Sequence, residues 1–288
     1  MSFKYSALII DLKGSKEMSD EIRALCQTKF LMALELANSL YKQCQEEELS
    51  FTGGDSIQGL FRDTSDALNC YYLIKNLMYP YEIRGGVGYG SINEFIKKSK
   101  YELNIADKVN SNFADGDAYH YAINALNDCK DNQQEILLYS DYQDFDLVLN
   151  EILRTITLLE NLQSKRQKEI FNIFNLLSPM DNINENYYQK IGSFIKQNIK
   201  ELLTKEIDSI VKSISEQLIR KCGSNVFIER IFVKDPFEPL LNEYVGKLLG
   251  VSRENIRQII KNGKFNEIRK LNMTAIFYAN KNYQGGNN

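Results

Sequence analysis

A chain of 288 residues, 43% hydrophobic and 25% charged, is long enough for two domains and composed like a soluble globular protein, which argues against a disordered or membrane class. The net charge of −3 gives no global pull toward nucleic acid, yet from Phe237 onward eight Lys and Arg face four Glu, so that end carries +4 and the remainder −7. Five widely spaced cysteines, with no C-x-x-C and no histidine cluster, read as reduced thiols in a cytoplasmic protein.

The chain opens on Tyr5–Ile10, a short buried-strand signal that ends on Asp11 and runs into Leu12-Lys13-Gly14-Ser15. This apolar run is too short for a signal peptide or a membrane span. Ser19–Glu47 repeats apolar residues at a helical period for some seven turns, beginning at the Ser19-Asp20 cap signal. Glu48–Phe61 then reads as a β-hairpin. Gly53-Gly54 forms its turn, because paired glycines supply the positive φ a tight turn needs, and Asp55 sits at its tip.

A second helix runs from Thr64-Ser65-Asp66 to about Met78 and is closed by Pro80. Tyr81–Ile92 is a strand with glycine at 85, 86, 88 and 90, which signals close approach by a ligand or another backbone, or a twisted, bulged strand with no ligand. Residues 93–115 carry no regular pattern. Asp117–Cys129 reads as a third helix and Glu135–Tyr139 as a strand. The order is βαββαβ-like, that of a ferredoxin-like palm with helices on one face. The fold class is therefore α+β, a palm followed by an all-helical region.

After residue 150 or so the pattern is almost wholly helical, with Leu147–Leu162 and Arg166–Leu177 as a pair and a polar amphipathic stretch over Asp181–Cys222. A short apolar segment, Asn225–Lys234, ends at Asp235-Pro236, and the tail from Gln284 should fray. Val245–Ile260 matches a helix-turn-helix. Gly246 stands where two helices touch, Gly250 permits the turn, Val251 plugs the core and Ser252 caps the second helix. Arg253, Asn255, Arg257, Gln258 and Lys261 then face outward, a set suited to base edges and phosphates, although such folds also serve as packing modules. The expected division is 1–145 palm, 146–236 helical linker or insert, and 237–288 helix-turn-helix domain.

If the first strand lies beside the hairpin, Asp11 and Asp55 meet at strand ends. Two carboxylates that close either raise one pKa or share a cation, and hard oxygen ligands suit Mg²⁺ or Mn²⁺ carrying a polyphosphate. Each could instead merely cap a turn. ALIIDLKGS and GGDSIQGLF, followed by IRGGVGYGSI and GDAYHYAINAL, resemble the palm of class III nucleotide cyclases, a cousin of the diguanylate-cyclase and polymerase palms. With the C-terminal features, the chain as a whole resembles the SatD family; Ser164–Gln167 is similar to the helix entry at that place in such chains, and residues 181–222 look like an insertion.

The resemblance implies a site in which Asp11, Asp55 and the Leu12 backbone hold metal over a nucleoside triphosphate. Lys13, Gly14 and Ser15 cradle phosphates beside Gly54, by two-metal phosphoryl chemistry in a head-to-tail homodimer. It also marks departures. Phe51 stands where cyclases read the purine with Lys or Glu. His120 and Asn124 stand where the partner-facing Asn and Arg steady the transition state, and Ser56 replaces an acid that diguanylate cyclases need. His120 reads as a structural or dimer-facing residue, or as a phosphate contact or proton acceptor. Arg84 reads equally as a phosphate contact or an edge charge; Lys13 and Lys16 are similarly open. Tyr119 and Tyr121 read as base-stacking or packing aromatics. Three functions fit: a nucleotide- and Mg-binding regulator tied to DNA, an active cyclase or oligonucleotide synthase making a second messenger, and an interaction module that binds no nucleotide.

Overall fold

The computed structural model describes residues 3–92, 116–180, 185–198, 211–213, 216 and 238–283. The expectations placed on 93–115, 225–234 and 284–288, and most of 181–222, lie outside the described residues. The chain divides into two compact units, Met1–Thr157 with Ala275–Asn288, and Leu158–Thr274, boundaries that differ from the expected 145/146 and 236/237.

In chain order the first unit contains β1 (Lys4–Leu12), α1 (Asp20–Tyr41), β2 (Gln45–Gly53), β3 (Ser56–Phe61), α2 (Thr64–Met78), β4 (Ile83–Ser91), α3 (Asp117–Asp131), β5 (Ile136–Ser140) and the start of α4 (Gln143–Asn161). The strands form one five-stranded sheet in the order β2-β3-β1-β4-β5, antiparallel except for the β4–β5 pair. The most continuously apolar strand, β1, takes the centre, where both of its faces are covered.

Cross-strand partners share a face. Ala7, Leu60 and Gly88 therefore look one way, as do Ile9, Gln58 and Gly86, and after them Asp11, Ser56 and Arg84. On this face α3 lays Ala118, Ala122 and Leu126 against Ala7, Ile9 and Leu60. On the other face the hydroxyls of Ser6 and Thr64 (α2) bond at 2.6 Å, and Gly85 makes room for the Tyr71 ring. Helices thus cover both faces, which corrects the one-faced layering expected of a ferredoxin-like palm. The reason lies in the glycine-rich strand. A Cβ on Gly88 would stand 2.0 Å from Ala118 O, and one on Gly86 2.1 Å from Ala122 O. The close approach those glycines announce is made by the backbone of α3.

The first helix stops at Tyr41, six residues before the expected Glu47, because Gln45–Leu49 is an edge strand whose charged residues also suit a helix pattern. Both sheet edges are blunted by asparagine. The Asn38 amide pairs with Leu49 N and O on β2 at 2.9 Å each, and Asn150 with Leu138 N and O on β5 at 2.8 Å each. Each side chain satisfies backbone groups that a further strand would otherwise have paired. Nearby, Asp146 accepts from Ser140 N and Oγ (2.7 Å each) and from the buried Tyr283 hydroxyl (2.9 Å). Burial holds the Asp146 carboxyl above the ordinary carboxylate range.

The second unit holds the rest of α4, α5 (Lys165–Leu177), α6 (Glu185–Asn198), α7 (Glu238–Leu249), α8 (Arg253–Asn262) and α9 (Phe265–Asn282) as far as Thr274. A capping box of Ser164 and Gln167 opens α5. The Phe171 and Phe265 rings pack 4.8 Å apart, and buried Arg269 donates to Asn175 Oδ1 (2.7 Å) and Ser178 O (3.0 Å). Between α7 and α8, Gly250 turns the chain at φ 62°, Val251 N bonds Gly246 O at 2.9 Å, and Ser252 Oγ caps α8 through Asn255 N at 3.3 Å. Both helices lie against α5. Among the described residues, no helix is long and apolar enough to cross a membrane.

Candidate functional site

The carboxyl end of β1 and the β2–β3 turn come together at one end of the sheet. Asp11 faces Ser56 across the β1–β3 ladder, and Leu12 N donates to Asp55 O at 3.2 Å, so the two aspartates belong to adjoining pieces of backbone. Their side chains are held from both sides. Ser56 Oγ donates to Asp11 Oδ1 at 2.9 Å, and Ser15 Oγ donates to Asp55 Oδ2. Both are half-buried.

Gly14 bends the chain at φ 67° directly after β1, and this turn carries Ser15 over to the hairpin. Lys13 N is spent on Glu82 O (2.9 Å), and Lys13 Nζ pairs with Glu82 Oε2 (3.3 Å), so any phosphate cradle here would draw on Gly14 and Ser15. Two side chains one turn apart on α1 brace the loops. Arg23 donates to Ser15 O at 2.8 and 3.1 Å, and Gln27 Nε2 to Gly54 O at 3.0 Å. The sequence reading missed both; their i, i+4 spacing on the helix that follows the first aspartate was the available signal.

Arg84 is the cross-strand partner of Asp11 on β4 and shares its face, with Nε buried and without a hydrogen-bond partner. Since α3 runs antiparallel to β4, with Asp117 beside Gly90 and Cys129 Sγ donating to Gly85 O at 3.4 Å, its last turn arrives at Asp11. There Lys130 Nζ forms an ion pair with Asp11 Oδ2 at 3.0 Å. Sequence reasoning missed Lys130 as well, because nothing local marks a lysine at a helix end as facing an aspartate more than a hundred residues earlier. Burial pushes the neighbouring Cys129 thiol up to about 12, against the pull of Arg84 and Lys13, and keeps it protonated.

Other expected residues fall elsewhere. Phe51 faces the α1 side with its cross-strand partner Ile57, its ring edge-on to Phe30 at 5.6 Å, on the face opposite Asp11. His120 and Asn124 are exposed on α3, well before its last turn. With a helical rise of about 1.5 Å per residue, His120 lies roughly 15 Å along the axis from Lys130, so it stands away from the aspartate pair of its own chain. Asn124 borders a separate open groove of about 420 Å³ lined by Tyr121, Tyr139, Asn150 and Arg154. Tyr119 is a packing residue whose hydroxyl donates to Glu47 Oε2 at 3.0 Å, and Tyr121 donates to Asp141. Arg253, Asn255, Arg257, Gln258 and Lys261 are all exposed along α8.

As a donor set, Asp11 and Asp55 fit a hard divalent cation. They offer carboxylate oxygens at one rigid sheet end, and Mg²⁺ is commonly held by one or two carboxylates while phosphates and water fill its other positions. The described residues contain no group of three or more His, Cys, Asp or Glu placed to hold a metal without such help.

Fold and site together define an α+β protein with Asp11 and Asp55 at one end of a mixed five-stranded sheet. The chain belongs to the SatD family, whose model matches residues 5–219; α7 to α9 lie beyond that match. Among solved structures it is similar to a bacterial light-regulated adenylyl cyclase, at 10% identity and a TM-score of 0.34, over 48% of this chain and 76% of that one. It is also similar to the guanylyl cyclase Cya2, at 15% identity and a TM-score of 0.25, over 32% of this chain and 58% of that one. Comparison with curated proteins finds no match.

Proposed function

We propose that the first unit is a cyclase-like palm that binds a nucleoside triphosphate through Mg²⁺ or Mn²⁺ at Asp11 and Asp55, and that occupancy regulates DNA binding by α7 and α8. One observation carries this reading: two aspartates separated by forty-odd residues of sequence stand on adjoining backbone at one sheet end, beside a glycine turn and an arginine whose Nε is buried. Asp11 and Asp55, with the Leu12 backbone, would hold the metal, and Gly14, Ser15, Gly54 and Arg84 lie where phosphates would sit. When bound, the metal supplies charge neutralisation for the triphosphate. The outward row of Arg253, Asn255, Arg257, Gln258 and Lys261 is the DNA-reading surface.

Binding without turnover is favoured by the residues that depart from the cyclase pattern. Asn124 stands where the cyclase pattern has an arginine and brings no charge to a transition state. The active reading, a nucleotide cyclase or oligonucleotide synthase, rests on the intact aspartate pair. It requires a head-to-tail homodimer in which the exposed His120 and Asn124 serve the partner's site. Incubation with each labelled triphosphate and Mg²⁺ or Mn²⁺ decides between them. The sensor reading predicts a rise in melting temperature without cyclic or oligomeric product. A product lost in Asp11→Asn and Asp55→Asn establishes the enzyme instead, and no shift with any triphosphate defeats both.

A further inference from the structure

We infer that Lys130 is a resident counter-ion of this site, one that opposes a bare divalent cation and turns to the phosphates when metal and triphosphate enter together. The inference rests on the metal–nucleotide reading above and deepens it. The last turn of α3 delivers Lys130 Nζ to 3.0 Å from Asp11 Oδ2, an oxygen the expected metal would need. The other oxygen, Oδ1, accepts from Ser56 at 2.9 Å. The two partners differ in freedom. The Lys130 side chain is 41% exposed and the Asp11 side chain 14%, so the lysine is the one able to swing while the carboxylate stays on its strand.

Two cations besides Lys130 stand near Asp11, although Lys13 is paired with Glu82 and Asp55 lies on adjoining backbone. Arg84 stands opposite Asp11 on the same face, with Nε buried and without a hydrogen-bond partner, and Lys13 is near enough to act on the same thiol as Arg84. Asp128 also lies close, but its carboxylate is engaged by the Tyr139 hydroxyl. A naked Mg²⁺ or Mn²⁺ arriving at Asp11 must displace one cation and tolerate another. A metal that already carries a triphosphate is net negative, so the same cations attract it, and Lys130, released from Asp11, gains a phosphate oxygen as its new partner. Metal entry is thereby coupled to nucleotide entry, and the charge left on Asp11 in the empty site is neutralised by the protein itself.

The test compares wild type, Lys130→Met and Lys130→Arg with two probes, Mn²⁺ alone and Mn²⁺–tripolyphosphate, by the Mn²⁺ paramagnetic signal and by calorimetry, after circular dichroism confirms folding. Lys130→Met is expected to bind bare Mn²⁺ about tenfold more tightly and Mn²⁺–tripolyphosphate about tenfold more weakly, while Lys130→Arg keeps the wild-type pattern. Opposite signs for the two probes are the signature. Changes of the same sign, or bare Mn²⁺ bound equally by wild type and Lys130→Met, overturn the inference. If tripolyphosphate and triphosphates bind no form of the protein while Lys130→Met alone gains Mn²⁺, the counter-ion stands and the nucleotide reading falls.

Discussion

Replacing Gly88 by alanine tests the seating of α3, which brings Lys130 to Asp11. The added Cβ would stand 2.0 Å from Ala118 O and 2.3 Å from Ala122 N, some 1.4 Å inside ordinary contact with the first. Both obstacles are helix backbone, so no side-chain rotation relieves them, and α3 must lift off Ala7 and Ile9. Overpacking of this kind costs about 1–3 kcal/mol, and a backbone obstacle places Gly88→Ala near 3, a large part of a typical total of roughly 5–15 kcal/mol. Gly53→Ala is the control, since its Cβ meets nothing within 4 Å. It is expected to change stability by less than about 1 kcal/mol. Urea unfolding followed by circular dichroism gives both midpoints. A Gly88→Ala midpoint as mild as that of Gly53→Ala would show that α3 does not rest on β4 as described.

Two further outcomes follow from particular groups. Burial raises the Asp146 carboxyl above its unfolded value, so the stability it contributes is full below a pH of about 4 and is lost as pH rises through the folded value. The stability of wild type relative to Asp146→Asn, read from urea midpoints, should therefore fall from acid pH upward, and the variant also loses about 1–3 kcal/mol because an amide nitrogen then faces one of the donors Ser140 and Tyr283. An unchanged pH profile would remove Asp146 from this account. For DNA, affinity should fall steeply with salt, and Arg253→Ala or Arg257→Ala should each lower the slope of log affinity against log salt by about 1. Salt-independent binding, or none, would leave α7 and α8 as packing helices against α5.

Much of this architecture is legible in the sequence because it follows from local periodicity. The apolar run of β1, the helical run after Ser19, the hairpin turn at Gly54 and the Ser252 cap each obey rules that act within a few residues. What escaped is set by distant partners. The Gln45–Leu49 strand is polar enough to continue a helix and becomes strand because it completes a sheet edge. Gly86, Gly88 and Gly90 announce close packing without saying that a helix supplies it, and so the second covered face was missed. At the site, Asp11 and Asp55 are legible as a pattern, and the sheet places them, with Arg84, at one end. Lys130 was not, since its role depends on the register of α3 against β4. Phe51 is placed by β-strand parity on the face opposite Asp11, which a spacing of four residues before Asp55 does not reveal.

Crystals grown with Mn²⁺ and a non-hydrolysable nucleoside triphosphate analogue, measured at the manganese edge, test the central claim most directly. The account predicts an anomalous peak bonded to oxygens of both Asp11 and Asp55, with phosphate beside Gly14 and Arg84, and its loss in Asp11→Asn. Nucleotide bound elsewhere, or a peak that touches neither carboxylate, would contradict it.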